Sequence, residues 1–255
     1  IDYRDVGSVS TSAGIVTNIN TGQSYCSIQS AINDALTLAG HTVQVSAGTF
    51  VEDVLLNKSI ILKGAGQGVT TIVGVMGGDV STVRINANNA QLSGFSITRE
   101  GNNLTDWDNP TLNSAGIAMQ GAVTGVLIHD NNIYGNRTGI DINNSSGHTI
   151  RNNVITNNRT GLIFRNKTDN ITFIENEVTD NWTVGIVFLD ASGGTNSPVQ
   201  SALSCNFNYN NISGNWYGQV VDRQTGGALP APGGNLKNFK CNWWGTITPV
   251  LSTAH

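Results

Sequence analysis

Asp141 and Arg165 are the residues whose types and spacing could do chemistry. They lie about one repeat apart in a chain that repeats itself, and Asn143 follows Asp141 by two residues. If successive repeats stack as neighbouring strands, the carboxylate and the guanidinium stand about 5 Å apart on one outward face. Such a pair could handle a proton on a bound ligand, or be an ordinary surface ion pair. The same face, read from Gly-Ile-x-Ile strands, presents Ala118 and Gln120, Asp141 and Asn143, Ile163 and Arg165, Val187 and Leu189, then Val220 and Asp222. Asp141 and Arg165 are therefore the candidate catalytic residues, and Gln120, Asn143 and Asp222 candidate substrate-binding residues. A second set sits in Arg99–Asn113, where Trp107 is flanked by Asp106 and Asp108. A Trp face can stack on a sugar ring, and Asp106, Asp108 and Asn109 offer oxygen ligands suited to Ca²⁺. The alternative is a lid that buries Trp107 against the apolar outward residues Ile163, Val187 and Val220.

The elements that must position these side chains are strands of a solenoid. Ile128 to Ile142 returns as Ile150 to Phe164 and again as Phe173 to Phe188, with Gly139, Gly161 and Gly185 spaced by 22 and 24 residues. A fixed period of this size marks one structural unit stacked on the next. Within each unit apolar and polar residues alternate, which is strand periodicity, and Asn-Asn, Gly-Asn and Thr-Gly dipeptides break the unit into three short strands. A right-handed parallel β-helix, all-β with three strands per rung, fits this pattern. It sets Asn131, Asn153 and Asn176 in one column and Asn136, Asn158 and Asn181 in another, where side-chain amides can bond up and down the stack. Leucine-rich repeats share the period but need leucine and helix patterns that are missing here.

Composition agrees. The 255 residues carry 12% charged residues and 30 glycines, with a net charge of −4. Disorder would need high net charge and few β-branched residues, and a negative chain is a poor partner for nucleic acid. No apolar run is long enough to span a membrane and no signal peptide opens the chain, so Ile1 reads as a mature N-terminus or the edge of an excised domain. Cys26, Cys205 and Cys241 form no metal motif; a Cys205–Cys241 disulfide and three buried thiols are both open. Sequons such as Asn136-Arg-Thr recur, as an Asn/Thr-rich repeat makes them by chance. The histidines form no triad, and Gly64-Ala-Gly66-Gln-Gly68 opens no helix, so it is a turn and not a nucleotide loop.

Residues 1–24 read as an extended lead-in. Over 27–39 the apolar spacing of Ile28, Ile32 and Leu36, ending near Gly40, predicts a short amphipathic helix able to cap the open end of the solenoid. The β-helix domain spans 25–245, with inserted loops at 99–114, 190–204 and 223–235 and a tail at 246–255. Trp243-Trp244 is suited to shield the C-terminal end of the core, the alternative being a sugar-stacking platform.

Val43-Gln-Val-Ser-Ala-Gly48-Thr-Phe50-Val-Glu52, with the following Gly64-Ala-Gly66, resembles the opening of pectin methylesterases and related pectinase-like (pectin lyase-like) β-helix proteins. The Asn-Asn coils from 126 onward are similar to carbohydrate-binding and sugar-hydrolase β-helix repeats. The resemblance implies the fold and a cleft on an outer strand face, where lyases pair carboxylates, often through Ca²⁺, with a basic residue. The esterase signatures Q-D-T-L, D-F-I-F-G and G-R-P-W are absent, and so are the Asp-Asp, Gly-His-Gly and Arg-Ile-Lys of polygalacturonases. Fold alone does not assign activity. Two functions follow as expectations. One is a secreted or cell-surface module that binds polysaccharide or acts as an adhesive or structural part of a larger surface protein. The other is a lyase, hydrolase or epimerase on acidic glycans, with its cleft over Asp141, Asn143 and Arg165.

Overall fold

A computed structural model describes residues 15–77, 81–101, 109, 115–190, 200–223, 234 and 236–250. Asp106, Trp107 and Asp108 lie outside the described residues.

The chain winds as a parallel β-helix whose turns share three sheets. The first sheet has nine strands and the other two seven each among the described residues. One rung supplies Leu127–His129 to the first sheet, Asn132–Tyr134 to the second and Thr138–Asn143 to the third. The next supplies Thr149–Arg151, Val154–Thr156 and Thr160–Arg165. Both rungs pair in parallel and in register, Ile128 with Ile150, Ile133 with Ile155 and Ile140 with Leu162. Parallel crossovers of this kind are right-handed. Period-2 alternation sends one residue of each short strand, and two of each longer one, into the core. These residues are Ile, Leu, Val and Phe, with Met119 in one rung, and are fully buried in most rungs.

Two corners are held by asparagine ladders. Asn131, Asn153, Asn176 and Asn210 each accept, on the side-chain oxygen, the backbone N–H of the residue one rung earlier in the column. Each side-chain nitrogen donates to the next Asn oxygen at 3.0–3.2 Å, the last to Asn242. Asn136, Asn158, Asn181 and Asn215 repeat this at the other corner, and Gln219 Oε1 ends the column by accepting from Asn215 Nδ2 at 2.8 Å. The residue before each ladder Asn turns the chain in left-handed conformation, as at Asn152 (φ 53°) and Asn157 (φ 53°). The Asn-Asn dipeptide thus does two jobs, the first residue making the corner and the second holding it.

Helix α1 is shorter than its periodicity suggests, Ile28–Asn33. Lys58 Nζ donates to the carbonyls of Asp34 and Thr37 at 2.8 and 2.9 Å, which turns the chain out of the helix and leaves Leu36 and Leu38 exposed. Ile28, Ala31 and Ile32 face the core. The Glu52 carboxylate accepts the N–H groups of Ile28 and Gln29 at 2.8 and 2.9 Å, so the Glu of the pectinase-like opening motif is a helix cap. Within the lead-in, Val16–Asn18 runs antiparallel to Thr42–Val45 and to Gln23–Tyr25, ending the first sheet.

At the other end Phe239 stacks on Phe207 with centroids 4.5 Å apart, and Trp244 packs 6.1 Å from Phe239. Trp243 does not shield the core: it is 50% exposed and its backbone extends the second sheet beside Asn211. Cys205 is buried, Cys26 and Cys241 are exposed, and all three are free thiols, so no Cys205–Cys241 disulfide joins the last coils.

Candidate functional site

The outward side of the third sheet gathers the chemistry. Arg165 Nη2 donates to Asp141 Oδ2 at 2.9 Å, and Gln120 Nε2 approaches the same oxygen at 3.4 Å. Register places Gln120, Asn143 and Arg165 side by side on consecutive rungs. Asn143 Oδ1 accepts from Asn166 Nδ2 at 2.9 Å. The structure thus brings together four of the residues singled out from sequence. The Asp141 side chain is only 3% exposed, against 28% for Arg165. Burial pushes its carboxyl above the usual carboxylate range, opposed by the charges of Arg165 and Arg137. Asp141 lies beneath Arg165 and anchors the guanidinium that faces outward.

Asp222 does not belong to this row. Val187 pairs with Val221 and Leu189 with Arg223, so Asp222 falls in the inward column after Phe188, and Val220 in the column of Ile186. The reason is one residue. Asn158 precedes Gly161 by three positions, but Asn181 precedes Gly185 by four, and the next rung keeps the longer spacing from Asn215 to Gln219. Gly218 therefore aligns with Val184, one place earlier than its glycine suggests. Close approach explains the glycine column itself: a Cβ at Gly139 would sit 2.5 Å from the Gly161 carbonyl oxygen. Asp222 binds Lys237 Nζ at 2.9 Å, and that ammonium lies 4.8 Å from the Phe188 ring centroid, covering the end of the core.

Beside Arg165 the third sheet opens into a groove of about 760 Å³. Its floor is the outward stripe Ile163, Val187 and Val221, which forms a small apolar cluster separate from the core. Its walls carry Arg137, Arg159, Arg165 and Arg223, with Trp216 and Tyr217 at one edge, and Asp222, though outside the Gln120 row, also lines it. Four of the chain's eight arginines meet here although the net charge is −4. Trp216 is 80% exposed and Tyr217 59%.

That edge is a column which sequence reasoning missed. The residue after each ladder Asn is Arg137, Arg159, Trp182 and Trp216 in successive rungs. Each backbone N–H after the first donates to the preceding ladder Asn carbonyl, at 3.0, 2.8 and 3.1 Å. The asparagine ladder that holds the corner thus sets two arginines and two tryptophans in line along the solenoid axis, about 4.8 Å apart. The signal was in the repeat: the position following the buried Asn changes type where its neighbours do not.

The soft donors among the described residues are scattered. Among the described residues no three His, Cys, Asp or Glu side chains could jointly hold a metal ion. His148 Nδ1 accepts the N–H of Val126 at 3.2 Å, which leaves Nε2–H to Ser145 at 2.8 Å, and burial lowers its pKa to about 4. His129 pairs with Asp130 at 2.6 Å, Met119 is in the core, and the Cys205 thiol, buried, is pushed up to about 11. No helix among the described residues is long and apolar enough to cross a membrane.

Residues 18–216 match a family model described as periplasmic copper-binding protein (NosD). A cell surface glycoprotein of Methanothermus fervidus is 38% identical over 85 residues, which are 33% of this chain and 14% of that protein. Among solved structures, ORF18 of Geobacillus virus E2 superposes with a TM-score of 0.52 at 17% identity, over 75% of this chain and 38% of the other, a likeness of fold. A pectin methylesterase bound to a hexasaccharide covers 89% of this chain and 91% of its own at 11% identity and a TM-score of 0.47. The donors described above do not fit the copper centre that the family description names.

Proposed function

We propose, from the premise that this chain belongs to the NosD family of β-helix proteins, that it is a cell-surface module binding polysaccharide along the groove of its third sheet. The observation that carries this reading is the groove's composition. Arginine forks suit carboxylates and sulfates bidentately, exposed Trp and Tyr faces stack on sugar rings, and an apolar floor accepts the hydrophobic face of a pyranose. Arg and Trp are also the side chains that dominate binding energy at protein surfaces. The surface location is supported by the M. fervidus relative, named a cell surface glycoprotein.

The enzyme reading, a lyase, hydrolase or epimerase using Asp141 and Arg165, is not favoured. A catalytic carboxylate must reach the proton it moves, and Asp141 is buried and spends one oxygen on Arg165. Its geometry supports positioning Arg165 as a ligand-binding cation.

Titration calorimetry with pectate, alginate and chondroitin, alongside neutral glucans and with unsaturated and reducing ends monitored, tests the proposal. Binding of the acidic glycans without turnover, weakened in Arg159→Ala, is the expected result. Equal binding of neutral and acidic glycans, or turnover lost in Asp141→Ala, would overturn it.

A further inference from the structure

We propose that Asn57 and Asn170 carry N-linked glycans, and that the fold selects them from the many sequons of the chain. The sequence holds ten Asn-x-Ser/Thr sites, nine with their Asn among the described residues. Asn136, Asn158, Asn166 and Asn181 are buried. The side-chain nitrogen of Asn158 donates to Ile133, Thr156 and Asn181 oxygens, so a sugar in place of either hydrogen would break the ladder. Asn143 accepts from Asn166, Asn211 from Ser213, and Asn144 from the Lys167 N–H, while the hydroxyl of its sequon, Ser146, accepts the Asp169 N–H.

Asn57 and Asn170 differ from all of these. Both side chains are exposed, and among the described residues neither amide is hydrogen-bonded, nor is the hydroxyl of Ser59 or Thr172 in the same sequons. Both stand at the corner between the third and first sheets, where Asn57 follows Val54–Leu56 and Asn170 precedes Thr172–Ile174. That is the opposite end of the third-sheet strands from the Arg137 to Trp216 column, so a glycan at either position leaves the ladders intact. An exposed Asn-x-Ser/Thr in an exported chain is an acceptor for a membrane-bound transferase. The co-substrate is a lipid-phosphate-linked glycan. The amide nitrogen forms a bond to the anomeric carbon, the bond from that carbon to the phosphate oxygen breaks, the lipid phosphate leaves, and the amide proton passes to a base of the transferase. Acceptors modified before folding can be accommodated only where the finished fold leaves the side chain in solvent.

The inference rests on the surface location proposed above, and not on polysaccharide binding. Glycopeptide mapping of the full protein, isolated from the surface of the cells that make it, tests it. Sugar on Asn57 and Asn170, with Asn136, Asn158 and Asn181 bare, is the expected result. A bare Asn57 or Asn170 overturns the assignment of that residue, and sugar on any ladder Asn overturns selection by the fold. Asn57→Gln and Asn170→Gln should each remove one glycan and leave pectate binding unchanged, so the two readings fail separately.

Discussion

The inward and outward columns of the third sheet run side by side up the same strands and obey different rules. Inward, Ile140, Leu162, Ile186 and Val220 repeat one chemistry, as do the ladder asparagines and the glycine column at the neighbouring corner. Outward, Asp141 gives way to the apolar stripe Ile163, Val187 and Val221, and beside the ladder Arg137, Arg159, Trp182 and Trp216 change type from rung to rung. Stacking explains the contrast. A buried side chain must match the rung above and below it, so its column is uniform. The column beside the ladder, which ends in the exposed Trp182 and Trp216, is free of that match and can carry a pattern. In a solenoid, binding belongs where the repeat stops repeating.

Breaking an inward column should cost the most. The Asn153 side-chain nitrogen shares its two hydrogens among the Ile128, Arg151 and Asn176 oxygens, and its oxygen accepts twice from Asn131. Asn153→Ala orphans buried polar groups in two rungs and should lower stability by about 3–5 kcal/mol, measured by urea unfolding. A loss below about 1 kcal/mol would make the ladder an ornament of the fold.

The next effect is set by pH. His148 is buried neutral, its pKa lowered from 6.5 to about 4. Its contribution is fully present above pH 6.5 and is lost as pH falls from 6.5 toward 4, because the unfolded chain then binds the proton more readily. At most about 3 kcal/mol disappears across that window. His148→Gln should be less stable at pH 7 and should lose less on acidification than the wild type. An equal loss of unfolding free energy between pH 7 and pH 4 in wild type and His148→Gln, measured by urea unfolding, would remove His148 from the account.

The smallest effect separates inner from outer thiols. A disulfide reagent should label Cys26 and Cys241 in the native protein and Cys205 only after unfolding, since Cys205 is buried with its thiol held neutral. Native labelling of all three at equal rates would show that the inward side of the last rungs is open.

What the sequence made legible follows the same division. The uniform columns could be read directly: the period, the two Asn columns and the inward isoleucines come from repetition, and so does the meeting of Asp141 with Arg165 one rung away. The last rung was misread because Gly218 looks like the column glycine. The spacing from Asn215 is what governs, and at the final rung no carbonyl above forbids a side chain, so Gln219 takes the place. The end of α1 escapes the sequence because Leu36 keeps helical spacing with Ile28 and Ile32, and the side chain that turns the chain away, Lys58, lies far along it. The Arg137 to Trp216 column was passed over because its members differ in type, and likeness between repeats draws attention to what stays the same.

The central claim, that the uniform columns fold the protein and the varied one binds, meets its most direct test in Arg159→Ala with Trp216→Ala. Thermal unfolding and pectate affinity are measured on one preparation. Both side chains leave the ladder from its solvent side, so the account predicts an unfolding midpoint within a few degrees of wild type and an affinity at least tenfold weaker, about 1.4 kcal/mol or more. Unchanged affinity with an intact fold would contradict it.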